Sequence, residues 1–510
     1  MKKKVIVIGG GIAGLSAGIY ALRCGFEVSI FERHTLAGGV CTSWKRGGYL
    51  FEGGMHWLTG SGKNEGLHAL WRTVGALDDS VNIHYPEPFA EFDWKGTPIR
   101  LYRDVNATEQ HWLELSPADA KEIRKFCNNI RKLSKLGKPV RDLKGVKVTK
   151  KRRLSLSRLF SALLALCRLR AYFKVSAKEY AARFSHEGIG EMLCASSYEQ
   201  GMGMLFLTMG SLTRGDGGFP EGGSLPFVQR MVNTFKALGG KIHYKTPVRR
   251  LILEKGKTTG VLVGDTAAGD KAVGDKTGSY QTFPADAVIV TVDTMAIEHL
   301  FETPPKAPWL KKMRKATEPT MVTFVSLGIN ASLKHYPSCY LFKPPKPIGL
   351  STQTYPFLSV NNYASNPTFS PEGKSTLTLL LPGDTYDFWK KAQEEGRYLQ
   401  EKQKLAKAVI AALEAQMPEI QNQVEVWDIA TPLTYERYCG NWKGSWMTEL
   451  TPNVKLAAYP ATLKGLKGVY FAGQRMMPPG GLPMALLSAR AAVQCLCRET
   501  GTTFVSETAT

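Results

Sequence analysis

Nowhere in this 510-residue sequence do apolar residues run to the length of about eighteen that a membrane-spanning helix needs. No spanning helix is therefore expected. Three lysines precede an apolar run at the start, but that run is only four residues long before glycines interrupt it, too short for a secretory signal. Nine cysteines are scattered without a C-x-x-C pair, and Cys495 and Cys497 fall on different faces of a helical pattern. Free thiols in a reducing cytoplasm are expected, not a disulfide framework. No clustered His, Cys or Asp spacing supports a metal site. Neither G-x-S-x-G nor a P-loop occurs, which removes the hydrolase and kinase readings at the level of motif. Acids are also scarce, with 44 Asp and Glu against 66 Lys and Arg, for a net charge of +22. Such a surface meets solvent, an anionic membrane or nucleic acid. No nucleic-acid-binding motif is present, so nucleic acid is not expected as a partner.

What is present begins at once. Val5-Ile-Val-Ile8 reads as a strand, Gly9-Gly-Gly11 as a turn, and Ile12-Ala13-Gly14 as a helix start, followed by a second strand from Glu27 to Phe31 that ends in Glu32. Gly9, Gly11 and Gly14 fit the dinucleotide fingerprint G-x-G-x-x-G. The first glycine allows the tight turn and the second lets backbone approach a pyrophosphate. Gly14 lets helix and strand pack closely, and the free amides of the helix start face the phosphates. Glu32, eighteen residues past Gly14, is placed to accept hydrogen bonds from an adenosine ribose. No second fingerprint follows, which disfavours a resident NAD(P) domain.

Further along, Ser116-Pro117 reads as the N-cap and first position of a helix. Between Arg131 and Lys174 stand fifteen Lys or Arg and one acid, Asp142. Within that span, residues 154–173 are apolar in the middle and basic at both ends. Such a segment suits a headgroup layer at an anionic membrane surface; its other reading is a helix with a solvated basic side. A glycine-rich passage at 215–223 leads into a helix from Ser224 to Leu238. Strands follow at 241–244 and 248–253, then a polar hairpin tip or mobile loop at 264–281 and a buried strand from Ala285. Near the end, Gly468 to Gly473 is a strand entering a glycine turn, and Gly480 to Cys497 a glycine-led helix.

Glu32-Arg33 followed by Gly38-Gly39, and Phe51-Glu-Gly-Gly54 after them, resemble the FAD-binding start of flavin amine oxidase and phytoene desaturase relatives. The resemblance is nearest to the branch holding carotenoid isomerase and retinol saturase. It returns at 219–224, at the strand around Val248, and at Phe471-Ala-Gly473-Gln474 through Gly481-Leu-Pro483-Met484. It covers roughly half the chain. It implies an α/β fold: a three-layer Rossmann-type FAD domain of residues 1–85, 215–300 and 430–500. A mixed-sheet and helical substrate domain of 86–214 and 301–429 is inserted into it, and 501–510 form a tail. Two positions depart from the family pattern. Val40 stands where an arginine is common, and Gln474 where an acid usually meets the cofactor. Pro483 and Met484 would lie near the isoalloxazine, although Met484 also reads as ordinary core.

The resemblance further implies FAD-dependent redox chemistry on carbon–carbon bonds of an apolar polyene, carotenoid or retinoid-like lipid, by desaturation, saturation or isomerisation. His56 is the candidate acid or base, or else a structural histidine beside the cofactor. Tyr198 and Glu199 are candidates for the substrate channel or for packing, while His111, His186 and His335 read as ordinary. The electron partner stays open between NAD(P)H, a quinone and oxygen. Two other functions remain: a flavin amine oxidase acting on a soluble amine, with Trp442 and Trp446 available as an aromatic cage, and a flavin-binding, membrane-attached protein without substrate chemistry. A cytoplasmic protein, peripheral at the membrane, is expected.

Overall fold

A computed structural model describes residues 2–135, 140–149, 171–197, 201–264, 280–450, 458–478 and 480–506. At its centre lies strand β1 (Lys4–Ile8), whose residues from Val5 on are all buried. A strand covered on both faces reads as an unbroken apolar run, and this one is. It pairs in parallel with β2 (Glu27–Phe31) on one side and with Ala287–Val290 on the other. Lys241–His243 extends the sheet beyond β2, and Val469–Phe471 extends it beyond Ala287–Val290. The five strands thus come from three distant stretches of chain.

Alternation along β1 separates two cores. Val5 and Val7 face a helical layer made by α1 (Ile12–Arg23), Ser224–Ala237 and Leu482–Thr500, with Leu15, Phe235 and Val493 among the side chains they join. Ile6 and Ile8 face a three-stranded antiparallel sheet through Leu251 and Val261. The result is the three-layer arrangement expected. The 264–281 tip lies almost wholly outside the described residues, but the strands that flank it, Lys257–Gly264 and Tyr280–Pro284, pair antiparallel.

The inserted part has a seven-stranded mixed sheet. Its strand Val322–Ile329 is buried along its whole length. Val325, Leu327 and Ile329 pack on Leu405, Val409 and Leu413 of the helix Tyr398–Gln416, while Val322 and Phe324 join a separate cluster with Tyr435. A helical lobe built around Phe126, Tyr180 and Phe206 covers the sheet's far end. No helix among the described residues is long and apolar enough to cross a membrane. Of the basic stretch 131–174, residues 136–139 and 150–170, including most of the apolar segment, lie outside the described residues.

Two local expectations need correction. Ser116 makes no side-chain cap; its hydroxyl donates to Asp119 Oδ2 at 2.9 Å, and Pro117–Asp119 form a 3-10 turn before the α-helix Ala120–Ser134. An acid three residues on competes for the hydroxyl that would have capped the helix. The C-terminal tail is no free tail as far as Ser506. Phe504 is fully buried, its ring 5.4 Å from that of Tyr20 and 4.9 Å from the Arg490 guanidinium, and its backbone bridges Val148. Phe504→Ala is accordingly expected to destabilise the protein by about 3–5 kcal/mol, the usual cost of truncating a buried phenylalanine. A lower calorimetric unfolding midpoint would show it.

Candidate functional site

The turn between β1 and α1 depends on two close approaches. Gly9 has φ +100°, and a Cβ on Gly14 would lie 1.9 Å from the Gly9 carbonyl oxygen, so α1 can cross the strand end only without a side chain there. Gly11 is different. A Cβ there would meet no protein atom nearer than 3.8 Å. Its bareness serves the space beside it, not the packing of the protein. The loop carrying Gly38 (φ +128°) and Gly39 is zipped to this turn by the Gly38 amide, which donates to the Gly10 carbonyl at 2.9 Å.

Glu32 is 7% exposed, and its carboxylate is already at work. Oε2 accepts from the Gly10 amide at 2.6 Å and Oε1 from the His34 amide at 2.8 Å. Each oxygen keeps a lone pair for a further donor. Arg33 lines the cavity and is also tied to a distant segment. Its guanidinium donates to the carbonyls of Glu436 (3.0 Å) and Arg437, near the end of the helix Pro432–Cys439. A side chain engaged on those two carbonyls serves as a clamp, and only the remainder of Arg33 is left for a cofactor.

Gly9, Gly11, Glu32, Arg33, Gly38 and Gly39 line one cavity of about 2720 Å³, which also takes in Ile12, Ala13, Val248, His56, Gln474, Pro483 and Met484; Gly14 lies behind this wall and is not among its lining residues. An ordinary small-molecule pocket occupies roughly 300–1,000 Å³. From the glycine turns the cavity passes His56 and Trp446 and continues into the inserted domain, where Phe173, Met204, Leu205, Leu207 and Leu341 line it. Met484 is only half-buried at this wall, so it is no ordinary core residue. Tyr198 and Glu199 lie outside the described residues.

At the centre, His56 Nδ1 lies 3.1 Å from the Tyr363 hydroxyl, and its ring stacks on Phe324 with Trp446 beside it. Burial pushes the His56 pKa down to about 4, and Nε2 has no hydrogen-bond partner among the described residues. The segment before it is held by Glu52. That fully buried carboxylate accepts from the amides of Gly54, Met55 and Ser224 and from the Ser224 hydroxyl, at 2.6–3.0 Å. Burial raises the Glu52 pKa and the four hydrogen bonds oppose that rise.

Gln474 explains its own departure from the family pattern. Its Nε2 donates to the Trp446 carbonyl at 3.1 Å and its Oε1 accepts from the Gly481 amide at 3.0 Å. A carboxylate could not make the first bond. Val40 likewise packs on the Phe324–Tyr435 cluster, where an arginine would be costly. Next to Gln474, Arg475 forms a bidentate ion pair with Asp293 at 2.6 and 3.0 Å, both side chains being under 5% exposed. Sequence reasoning passed over this pair, Glu52 and Tyr363. Arg475 beside the glycine turn and Asp293 just past a buried strand were the available signals; Tyr363 offered none. The three histidines read as ordinary are engaged elsewhere: His111 accepts from the Arg100 amide, His186 from the Ile189 amide, and His335 pairs with Glu419.

The model of the flavin containing amine oxidoreductase family matches residues 12–497. The chain belongs to that family. Among curated proteins it is similar to 4,4'-diaponeurosporene oxygenase of Staphylococcus aureus, 33% identical over 137 residues. That match spans 27% of this chain and 27% of the relative's length. Among solved structures, an oxidoreductase from Methanosarcina mazei superposes with a TM-score of 0.59 at 18% identity, covering 96% of this chain and all of that one. Putrescine oxidase bound to putrescine gives 0.58 at 16%, covering 98% of this chain and 99% of that one. Cyclohexylamine oxidase from Brevibacterium oxydans gives 0.56 at 15%, covering 98% and 100%.

The cofactor of this flavoprotein is FAD, and the cavity fits it. The helices α1 and Leu482–Thr500 both begin on glycines, Gly11 and Gly481, with no side-chain cap, and both beginnings line the cavity. Their first-turn amides are donors that no side chain satisfies, as an anion at a helix start requires. Gly11→Val would fill the open space beside the turn; it should yield folded protein that purifies without flavin absorbance. The buried His56 also makes stability depend on pH. Its folded pKa lies below the unfolded value of 6.5, so its contribution is complete above pH 6.5 and is lost as pH falls towards about 4. His56→Phe should flatten the loss of thermal stability across that window.

Proposed function

We propose that this flavoprotein performs redox chemistry on carbon–carbon bonds of an apolar, polyene-like lipid: desaturation, saturation or isomerisation. The observation that carries the reading is the cavity, which runs from the glycine turns past His56 into a wall of Phe173, Met204, Leu205 and Leu207. A volume of about 2720 Å³ leaves room for a long apolar molecule beside a dinucleotide. The printed name of the Staphylococcus aureus relative concerns a carotenoid-type compound and supports the same class.

In this reading Gly9, Gly11, Ile12, Ala13, Gly14, Glu32, Gly38, Gly39 and Val248 hold the adenosine and pyrophosphate half of FAD. Gly473, Gln474, Pro483 and Met484 hold the flavin half. When bound, FAD supplies the hydride acceptor or donor. The chain's own part is to exclude water, align the lipid along the apolar wall and present His56 at the junction. Delivery from an anionic membrane through the basic stretch 131–174, on the cytoplasmic side, belongs to the same proposal. Arg141 and Lys174, which belong to that stretch, line the cavity.

For an amine oxidase, Trp442 and Trp446 would have to face each other across the site. Trp446 lines the cavity; Trp442 is not among the residues that do, and the Lys443 ammonium sits 5.4 Å from its ring centre. The test is anaerobic mixing of the purified holoprotein with polyene-loaded anionic liposomes or with soluble amines, followed by flavin absorbance. The polyene is expected to change the redox state of the flavin, and putrescine and cyclohexylamine to leave it unchanged. Amine turnover with release of peroxide would overturn the proposal.

A further inference from the structure

Tyr363 follows the strand Leu358–Asn362 of the inserted domain, while His56 belongs to the nucleotide-binding part of the chain. The tyrosine is held firmly. Its amide donates to the Thr376 carbonyl at 3.0 Å and its ring stacks on Phe369, with centroids 4.3 Å apart and planes within 10°. Phe219 lies on another side at 5.7 Å. Burial holds the phenol well above its ordinary pKa, so it keeps its proton. That proton needs an acceptor. Among the described residues, the phenol's hydrogen-bond partner is His56 Nδ1, 3.1 Å away.

If Nδ1 carried the proton and donated to the phenol oxygen, a buried O–H would have no acceptor, and Nε2 would be a buried acceptor without a donor. Native structures rarely leave a buried hydroxyl proton unpaired. With the phenol donating, both Nδ1 and the O–H are satisfied, and one group, Nε2–H, is left without a partner among the described residues where the other tautomer leaves two. A neutral imidazole whose Nδ1 is an acceptor carries its hydrogen on Nε2. Double protonation is disfavoured at neutral pH, because the ring is buried and has no carboxylate partner.

We infer that Tyr363 is a positioning residue that fixes His56 as the neutral Nε2–H tautomer, so that His56 does not act as a base. The Nδ1 lone pair is occupied by the phenol, so the ring has no free site that could take a proton. Its remaining group, Nε2–H, is buried and has no partner among the described residues. This revises the acid–base role expected for His56, and it rests on the proposed function only in treating this junction as the reacting site.

The experiment is nitrogen NMR of holoprotein labelled in histidine, with the His56 signals assigned by their loss in His56→Gln. The wild type should show the pattern of a neutral ring protonated at Nε2. Tyr363→Phe, which keeps the ring stack on Phe369, should bind FAD normally and shift His56 to a mixture of both tautomers. It should also move the flavin reduction potential. A wild-type ring protonated at Nδ1, or a tautomer unchanged by Tyr363→Phe, would overturn the inference. The wild-type spectrum decides the first point even if the variant folds poorly. No substrate enters either measurement, so failure of the polyene assay would leave this result intact and separately readable.

Discussion

The crossing of α1 over the end of β1, where the carbonyl of Gly9 occupies the space a Gly14 side chain would need, is the contact on which the rest of the molecule depends. Because the helix sits that close, its uncapped first turn lies directly over the carboxyl end of the central parallel strand. The loop of Gly38 and Gly39 can then hydrogen-bond to the same turn, and Glu32 can reach the Gly10 amide. The nucleotide end of the cavity is the outcome. A side chain at position 14 would push the helix outward and misalign each of these groups.

The other half of the site is made by buried polar groups that join segments far apart in sequence. Glu52 ties the approach to His56 to the start of the helix Ser224–Ala237. The hydroxyl of Tyr435 and the indole of Trp446 both donate to the Gly53 carbonyl. Arg475 with Asp293 anchors the C-terminal glycine turn to the strand beside β1 and, through Thr448, to the strap that carries Trp446. Such charges are costly to bury, and a buried pair contributes more to fixing one arrangement than to stability. Here the arrangement is the meeting, around His56, of cofactor-domain segments that lie far apart in sequence.

The chemical character of the site changes along its length. It is rich in backbone donors and open glycines at one end and aromatic in the middle, and at the far end an apolar wall stands beside the basic side chains of Arg141, Lys174 and Arg214. His56, neutral and held by a tyrosine of the other domain, sits where these regimes meet. In the function proposed, the redox cofactor and a long apolar substrate meet there.

Much of this was readable from residue order. The strand β1, the glycine turn, Glu32 and the late glycine-led helix carry local signals: an unbroken apolar run, glycine spacing and an acid at a set distance. The first of these determine the opening strand–helix–strand unit, whose contacts lie within about thirty residues; the strands and the late helix that complete the layers join it from distant stretches of the chain. What residue order could not supply depended on distant partners. Nothing local announced that the Arg33 guanidinium would donate to carbonyls 403 and 404 residues away. Phe504 looked like part of a tail until Tyr20 and Arg490 enclosed it. Tyr363 carried no motif at all. Local pattern determined the opening unit of the cofactor half; only tertiary packing decided which side chains meet at His56, since those contacts are chosen by the closure of two domains and not by any neighbour in sequence.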